Sequence, residues 1–133
     1  MIAGTRRIKT KRVYESAECG DGKRVLVDRL WPRGLSRAGA RIDLWLKEIA
    51  PSTELRRWFA HDPARWAEFK QRYREELDTK HDAVRQLLDE AATGLTLLYS
   101  ARDDTRNNAA ALQEYLERFS AHGKRVPSQS KAA

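Results

Sequence analysis

The spacing of apolar residues changes along the chain, and each change marks an element. Residues 7 to 14 mix Ile8, Thr10, Val13 and Tyr14 with basic residues, the pattern of a weak strand. Gly20-Asp21-Gly22 is a turn signal. Val25, Leu26 and Val27 then form a short run apolar on both faces, as a strand covered from both sides requires, and Pro32 and Gly34 stop it. Ile42, Trp45, Leu46 and Ile49 fall at i, i+3, i+4 and i+7 and predict a helix that Pro51 closes. Ser52 can cap the next helix, whose inner face is Leu55, Trp58 and Phe59. Asp62-Pro63 offers a cap and a proline at the first helical position, opening a helix that buries Trp66, Phe69, Tyr73 and Leu77. Val84, Leu87, Leu88 and Ala91 give another, with Gly94 where a left-handed cap belongs. Leu95 to Tyr99 is the best strand in the chain, and Leu112, Tyr115, Leu116 and Phe119 line a final helix.

Strand, long helical crossover, strand and helix are the grammar of an α/β domain with parallel pairing. The expectation is a small, mostly parallel three-stranded sheet covered by about five helices, Rossmann-like in layering. The pairing of the first strand stays open, because only a short loop separates it from the second. Residues 1–119 read as one domain. Residues 120–133 are small and polar, the composition of a flexible tail.

Composition narrows the class. A hydrophobic content of 41% and four Trp describe a folded globule. No apolar run approaches the ~20 residues of a membrane span. The first residues lack the apolar stretch of a signal peptide, and Cys19 is the only cysteine, so a cytoplasmic protein without disulfides is expected. The formal net charge is +7, but it is unevenly placed. Arg6, Arg7, Lys9, Lys11 and Arg12 stand near one end and Lys124, Arg125 and Lys131 near the other, leaving the stretch between close to neutral. Basic ends can hold nucleic acid without reading its sequence, and far more basic ends are simply solvated.

Ligands of open α/β sheets bind beyond the carboxyl ends of the strands. Two such ends are readable: Asp28-Arg29-Leu30-Trp31-Pro32-Arg33 after the second strand, and Ser100-Ala101-Arg102-Asp103 after the third, with Asn107 at the start of a helix. If those strands are neighbours, Arg29, Trp31, Arg33, Ser100, Arg102 and Asn107 line a cleft for a small anionic or nucleotide-like ligand, gripped by guanidinium groups. Asp28 and Asp103 would orient those groups or act as bases. The alternative is an Arg–Asp network that only locks the loops together. Trp31 either packs or stacks on a ligand. His61, beside a helix cap, is a further acid–base candidate; His81 and His122 read as surface residues. Ser100 has no neighbouring sequence that marks a nucleophile. No cofactor motif and no metal-ligand spacing is legible.

The stretches RVLVDRLWPRGLS, WLKEIAPSTELRRWFAHDPARWAEFKQRYREEL and GLTLLYSARDDTRNNAAALQEYL together resemble the bacterial DUF488 family in its short YeaO-like branch, over about residues 8–119. The resemblance implies a domain of unknown function. It directs attention to Asp28, Arg29, Pro32, Arg33 and Gly34, and to Ala101, Arg102, Asp103, Asn107 and Ala109. Some family members carry a MarR-type regulator label, but the chain lacks the helix-turn-helix and β-hairpin of a winged helix. It also departs from the family pattern. Arg106 stands where His is expected, Asn108 occupies a position that is often His, and Tyr99 and Arg106-Asn107 replace a Cys and a Cys-His pair of the wider family. Any acid–base or thiol chemistry of those residues is missing here, which favours binding over catalysis.

Overall fold

The computed structural model describes residues 8–122. Four parallel strands, β1 (Ile8–Arg12), β2 (Lys23–Leu26), β3 (Leu44–Trp45) and β4 (Leu95–Tyr99), form one sheet in the order β1-β4-β2-β3. The five α-helices are α1 (Arg37–Ala40), α2 (Thr53–Phe59), α3 (Trp66–Leu77), α4 (His81–Ala91) and α5 (Asn108–His122). The α/β class and the parallel sheet are as the pattern predicts. The first strand pairs with β4, not with β2.

The sheet has unequal faces. Alternate residues Val25, Leu95, Leu97 and Tyr99 join Leu55, Phe59, Phe69, Tyr73, Leu87 and Leu112 in the main core, beneath α2, α3, α4 and α5. Val13, Leu26 and Leu98 face the other way and are covered by Ala40 and Ile42, with Trp31, Leu35 and Trp45 packed against them. The side-chain period of two along each strand sends neighbours into separate cores.

That alternation overturns the helix expected over Ile42–Ile49. Ile42 and Trp45 belong to the smaller cluster, Leu46 and Ile49 to the main core, so the four residues never share a stripe. The open edge of β2 decides the matter. Asp43 N donates to Arg24 O (2.9 Å) and Leu46 N to Leu26 O (3.0 Å), while the Asp43 carboxylate accepts from Arg24 N (2.8 Å). A fourth strand results, followed by a single 3₁₀ turn at Lys47–Ile49. The short helix α1 lies before it, closed by Arg41 in the left-handed region (φ 53°).

Ser52 caps α2 as expected, whereas Asp62 caps the 3₁₀ turn Pro63–Arg65 and not α3, whose N-cap is Arg65. Ser52 accepts from Leu55 N, and Asp62 accepts from Ala64 N ahead of a 3₁₀ turn that leads into α3. Gly94 differs. Its φ of 125° lies outside the left-handed helical region, and Ala92 is the cap residue of α4. The positive φ of Gly94 favours glycine, while the close approach where the two chains enter β2 and β4 requires Gly22: a Cβ there would stand 2.5 Å from Gly94 O.

Lys9, Lys11 and Arg12 lie in β1 and are part of the folded body, so the basic end is shorter than the charge pattern suggests. Helix α5 extends past residue 119, and the remainder of the expected tail lies outside the described residues, as does the side chain of His122. Lys11 reaches a buried cluster at the amino-terminal end of β2. Asp21, 1% exposed, accepts from Arg24 Nη1 (2.6 Å) and from Lys11 Nζ (3.2 Å). Arg24 spends its other donors on Arg41 O and Ala40 O, and Thr96 Oγ1 donates to Asp21 O. Burial alone would raise the Asp21 carboxyl; the donors from Glu18 N, Lys11, Arg24 and Lys9 outweigh it and hold the group well below the carboxylate range.

A depressed folded pKa stabilises above the unfolded value near ~3.9, and that contribution fades as the pH falls through it. Asp21→Asn leaves the Arg24 guanidinium buried without its counter-charge and should cost about 3–5 kcal/mol at pH 7. Urea denaturation should show the gap to wild type narrowing below about pH 4; a gap that stays constant down to pH 3 would rule out the ionised carboxylate as its source.

Candidate functional site

Because all four strands run parallel, their carboxyl ends deliver four loops to one rim. The loop after β2 and the loop after β4 meet there through Asp28. Its Oδ2 accepts from Ser100 N (3.0 Å) and Ser100 Oγ (2.7 Å), and its Oδ1 accepts from Asn108 Nδ2 (3.0 Å). Asn108 Nδ2 also donates to Val27 O (3.1 Å), so one amide ties the first turn of α5 to the end of β2. Burial raises the Asp28 carboxyl above its ordinary value, and the Ser100 and Asn108 hydrogen bonds draw it part of the way back.

A cleft of about 770 Å³ opens over this junction. Asp28, Arg29, Trp31, Arg33, Ser100, Arg102, Asp103, Asn107 and His61 all line it, so the residues singled out in the sequence come together. Their individual roles vary. Arg29 donates to Pro51 O (3.2 Å) and Ala50 O (3.3 Å), bracing the turn before α2. Trp31 Nε1 donates to Leu35 O (2.8 Å), and its ring meets Trp45 edge-on with centroids 5.2 Å apart. Packing thus fixes Trp31, while one side still borders the cleft. Asn107 is buried, with Nδ2 donating to Asp103 O and Oδ1 accepting from Ala110 N; it caps α5. Arg33 and Arg102 are exposed, and neither guanidinium makes a hydrogen bond or ion pair among the described residues.

The orienting role expected of the two aspartates is absent. Asp28 is held by Ser100 and Asn108. Asp103 accepts from Thr105 N, Thr105 Oγ1 and Arg106 N, each within 3.0 Å, and pairs with Arg106 at 3.4 Å. Those backbone donors, chiefly Arg106 N, hold its carboxyl well below the usual range. No described ion pair joins either aspartate to Arg29, Arg33 or Arg102, so the locking network is absent too. His61 sits at the rim with φ 58°, directly after Ala60 at φ 47°. Two consecutive left-handed residues make a tight reversal between α2 and α3.

Sequence reasoning missed three contributors. Arg56 of α2 lines the cleft one helical turn before Phe59 and lowers the Asp28 pKa by its charge alone. Arg12, the last residue of β1, donates Nε to Ala101 O (3.1 Å) and stacks over Tyr14, whose hydroxyl donates to Arg33 O (3.1 Å). A parallel β1 would have forecast Arg12; nothing in the local sequence tells which way Arg56 faces. Asn108, noted only as a departure from a family pattern, is the third.

The fold and rim define a small parallel α/β domain with an arginine-lined cleft at the carboxyl ends of its strands. The chain belongs to the DUF488 family: residues 7–132 match the family described as the inactive DUF488-N3 subclade. It is similar to the uncharacterized protein YeaO of Escherichia coli K12, at 46% identity over 82% of this chain and 96% of that protein. It is also similar to the uncharacterized proteins Mb3100c of Mycobacterium bovis and Rv3073c of Mycobacterium tuberculosis, each at 42% identity over 83% of this chain and 93% of theirs. No solved structure matches it. Among the described residues, no helix is long and apolar enough to cross a membrane.

Asn108→Ala strips a donor from both Asp28 and Val27 O and should cost about 1–3 kcal/mol at pH 7. A carboxyl raised in the folded state destabilises above its folded pKa, and the penalty lifts as the pH falls through that value. The cost of Asn108→Ala should therefore shrink between pH 7 and pH 4 in chemical denaturation. A loss independent of pH would assign the effect to the Val27 carbonyl instead.

Proposed function

We propose that this chain is a cytoplasmic domain that binds a small anionic or nucleotide-like ligand in the cleft, and that it holds this ligand without a built-in catalytic group. The observation that carries the reading is the charge of the lining. Arg12, Arg29, Arg33, Arg56 and Arg102 face the cleft against only Asp28 and Asp103. Structural charge networks match their signs; this rim does not, and the guanidinium groups of Arg33, Arg56 and Arg102 have no hydrogen-bonding partner among the described residues. Unpaired guanidinium groups suit bidentate recognition of phosphate or carboxylate. Leu30, Trp31 and Pro32 supply an apolar wall for the body of a ligand, a common mix of surfaces in binding clefts.

Catalysis has less support. Ser100 Oγ does donate to a carboxylate, as a serine nucleophile needs, but Ser100 N and Asn108 also draw on the lone pairs that would take its proton. Asp103 is committed to its turn. The family description as an inactive subclade points the same way.

Arg33→Ala and Arg102→Ala should each weaken the binding of inorganic phosphate and of adenosine monophosphate at least tenfold by calorimetric titration, about 1.4 kcal/mol. Both side chains are exposed, so the melting temperature should move by no more than about 2 °C. Unchanged affinity in both variants, or no binding by the wild type, would refute the cleft as an anion site. A large drop in melting temperature would favour a structural role for these arginines.

A further inference from the structure

Resting on that reading, the floor of the cleft says more about the ligand than its charge. An ionised carboxylate offers about four lone-pair positions. Asp28 receives two donors on Oδ2, from Ser100 N and Oγ, and one on Oδ1, from Asn108 Nδ2. One position on Oδ1 is left, on a half-buried group that lines the cleft. No arginine hydrogen-bonds to it; Arg56 acts on it only through space.

The cleft is therefore bipolar, with three unpaired guanidinium groups and one acceptor-only carboxylate. An anion with no proton to donate would satisfy the first and be repelled by the second. The volume argues in the same direction, since about 770 Å³ lies in the range of sites that hold a whole organic molecule and far exceeds one phosphate group. Three guanidinium groups also suit a dianion better than a single carboxylate, as electrostatic matching of opposite charge requires.

We infer that the cleft takes a phosphate monoester whose organic part carries a hydroxyl or amino donor. The phosphoryl oxygens lie against Arg33, Arg56 and Arg102, and the donor fills the remaining position on Asp28 Oδ1. Sugar phosphates, nucleoside monophosphates and phosphorylated amino acids share this chemistry. Asp28 then acts as a specificity residue: it disfavours an anion without a proton donor, such as the methyl phosphate dianion, and rewards a ligand that brings one.

The test uses the full chain and five probes in calorimetric titration: inorganic phosphate, methyl phosphate, ribose 5-phosphate, adenosine monophosphate and O-phosphoserine. At least one of the last three should bind the wild type tenfold or more tightly than methyl phosphate. Asp28→Asn should bring that preference within about twofold while methyl phosphate binds no more weakly, since a repelling charge has gone. If that variant does not fold, Asp28→Ser, which also removes the charge and leaves a small hydroxyl beside Asn108, should lose the preference likewise. Equal affinity of all five for the wild type would overturn the inference and leave the anion site standing. A preference that survives both variants would overturn the role of Asp28. Failure of every probe to bind would remove the anion site itself.

Discussion

Strand β4 lies between β1 and β2, parallel to both, and all five of its residues are buried. Its partners precede it by about seventy positions or more: Leu97 stands beside Thr10 on one side and Val25 on the other. A parallel pair cannot close through a hairpin, so the intervening helices are obligatory. They also supply the cover that a strand apolar on both faces needs. Parallelism fixes polarity as well. Every strand leaves the sheet at the same edge, which is why loops distant in sequence share one rim.

The two ends of this sheet treat charge in opposite ways. At the amino-terminal end of β2, Asp21 is 1% exposed and meets Arg24 and Lys11, and Arg24 has its remaining donors on backbone carbonyls. The buried charges there are paired within the chain. At the carboxyl end, Asp28 is satisfied by neutral donors, Ser100 and Asn108, and the arginines around it are left without acids. Burying a charge is tolerable only with compensation, so the first end is closed to water. The second keeps its unpaired guanidinium groups at an open surface, where water can hydrate them.

Much of this was legible because local pattern and tertiary role agree. The stripes of α3, α4 and α5, the caps Ser52 and Asp62, and the run at β4 each carry their period within a few residues. Strand β3 was not legible. Two residues have no period, and Ile42, Trp45, Leu46 and Ile49 satisfy a helical spacing while belonging to two separate clusters. Only the unpaired edge of β2 reveals the choice, and that edge exists only after β2 has joined β4. In the cleft, the strand-end rule located Asp28, Arg33, Ser100 and Arg102, because it depends on topology alone. It could not say which acid pairs with which base. Asp103 turned to Thr105 and Arg106 beside it in sequence, and Asp28 turned to Asn108, eighty residues away. Arg56 was hidden for a further reason: its direction depends on how α2 seats against the core.

The Asp28 junction joins architecture to chemistry. The three donors that fix this carboxylate come from the end of β4 and the start of α5, so docking those elements onto β2 is the same event as building the cleft floor. A histidine at position 108 could exchange a proton with whatever lay above it; Asn108 cannot, and its amide is already shared between Val27 O and Asp28. Arg106 likewise pairs with Asp103 and acts as part of the turn. At these two positions the chain has an amide and a guanidinium that do not titrate near neutral pH, and Asn108 holds the carboxylate beside it. The rim presents fixed charges around a carboxylate whose lone pairs are mostly taken by neutral donors.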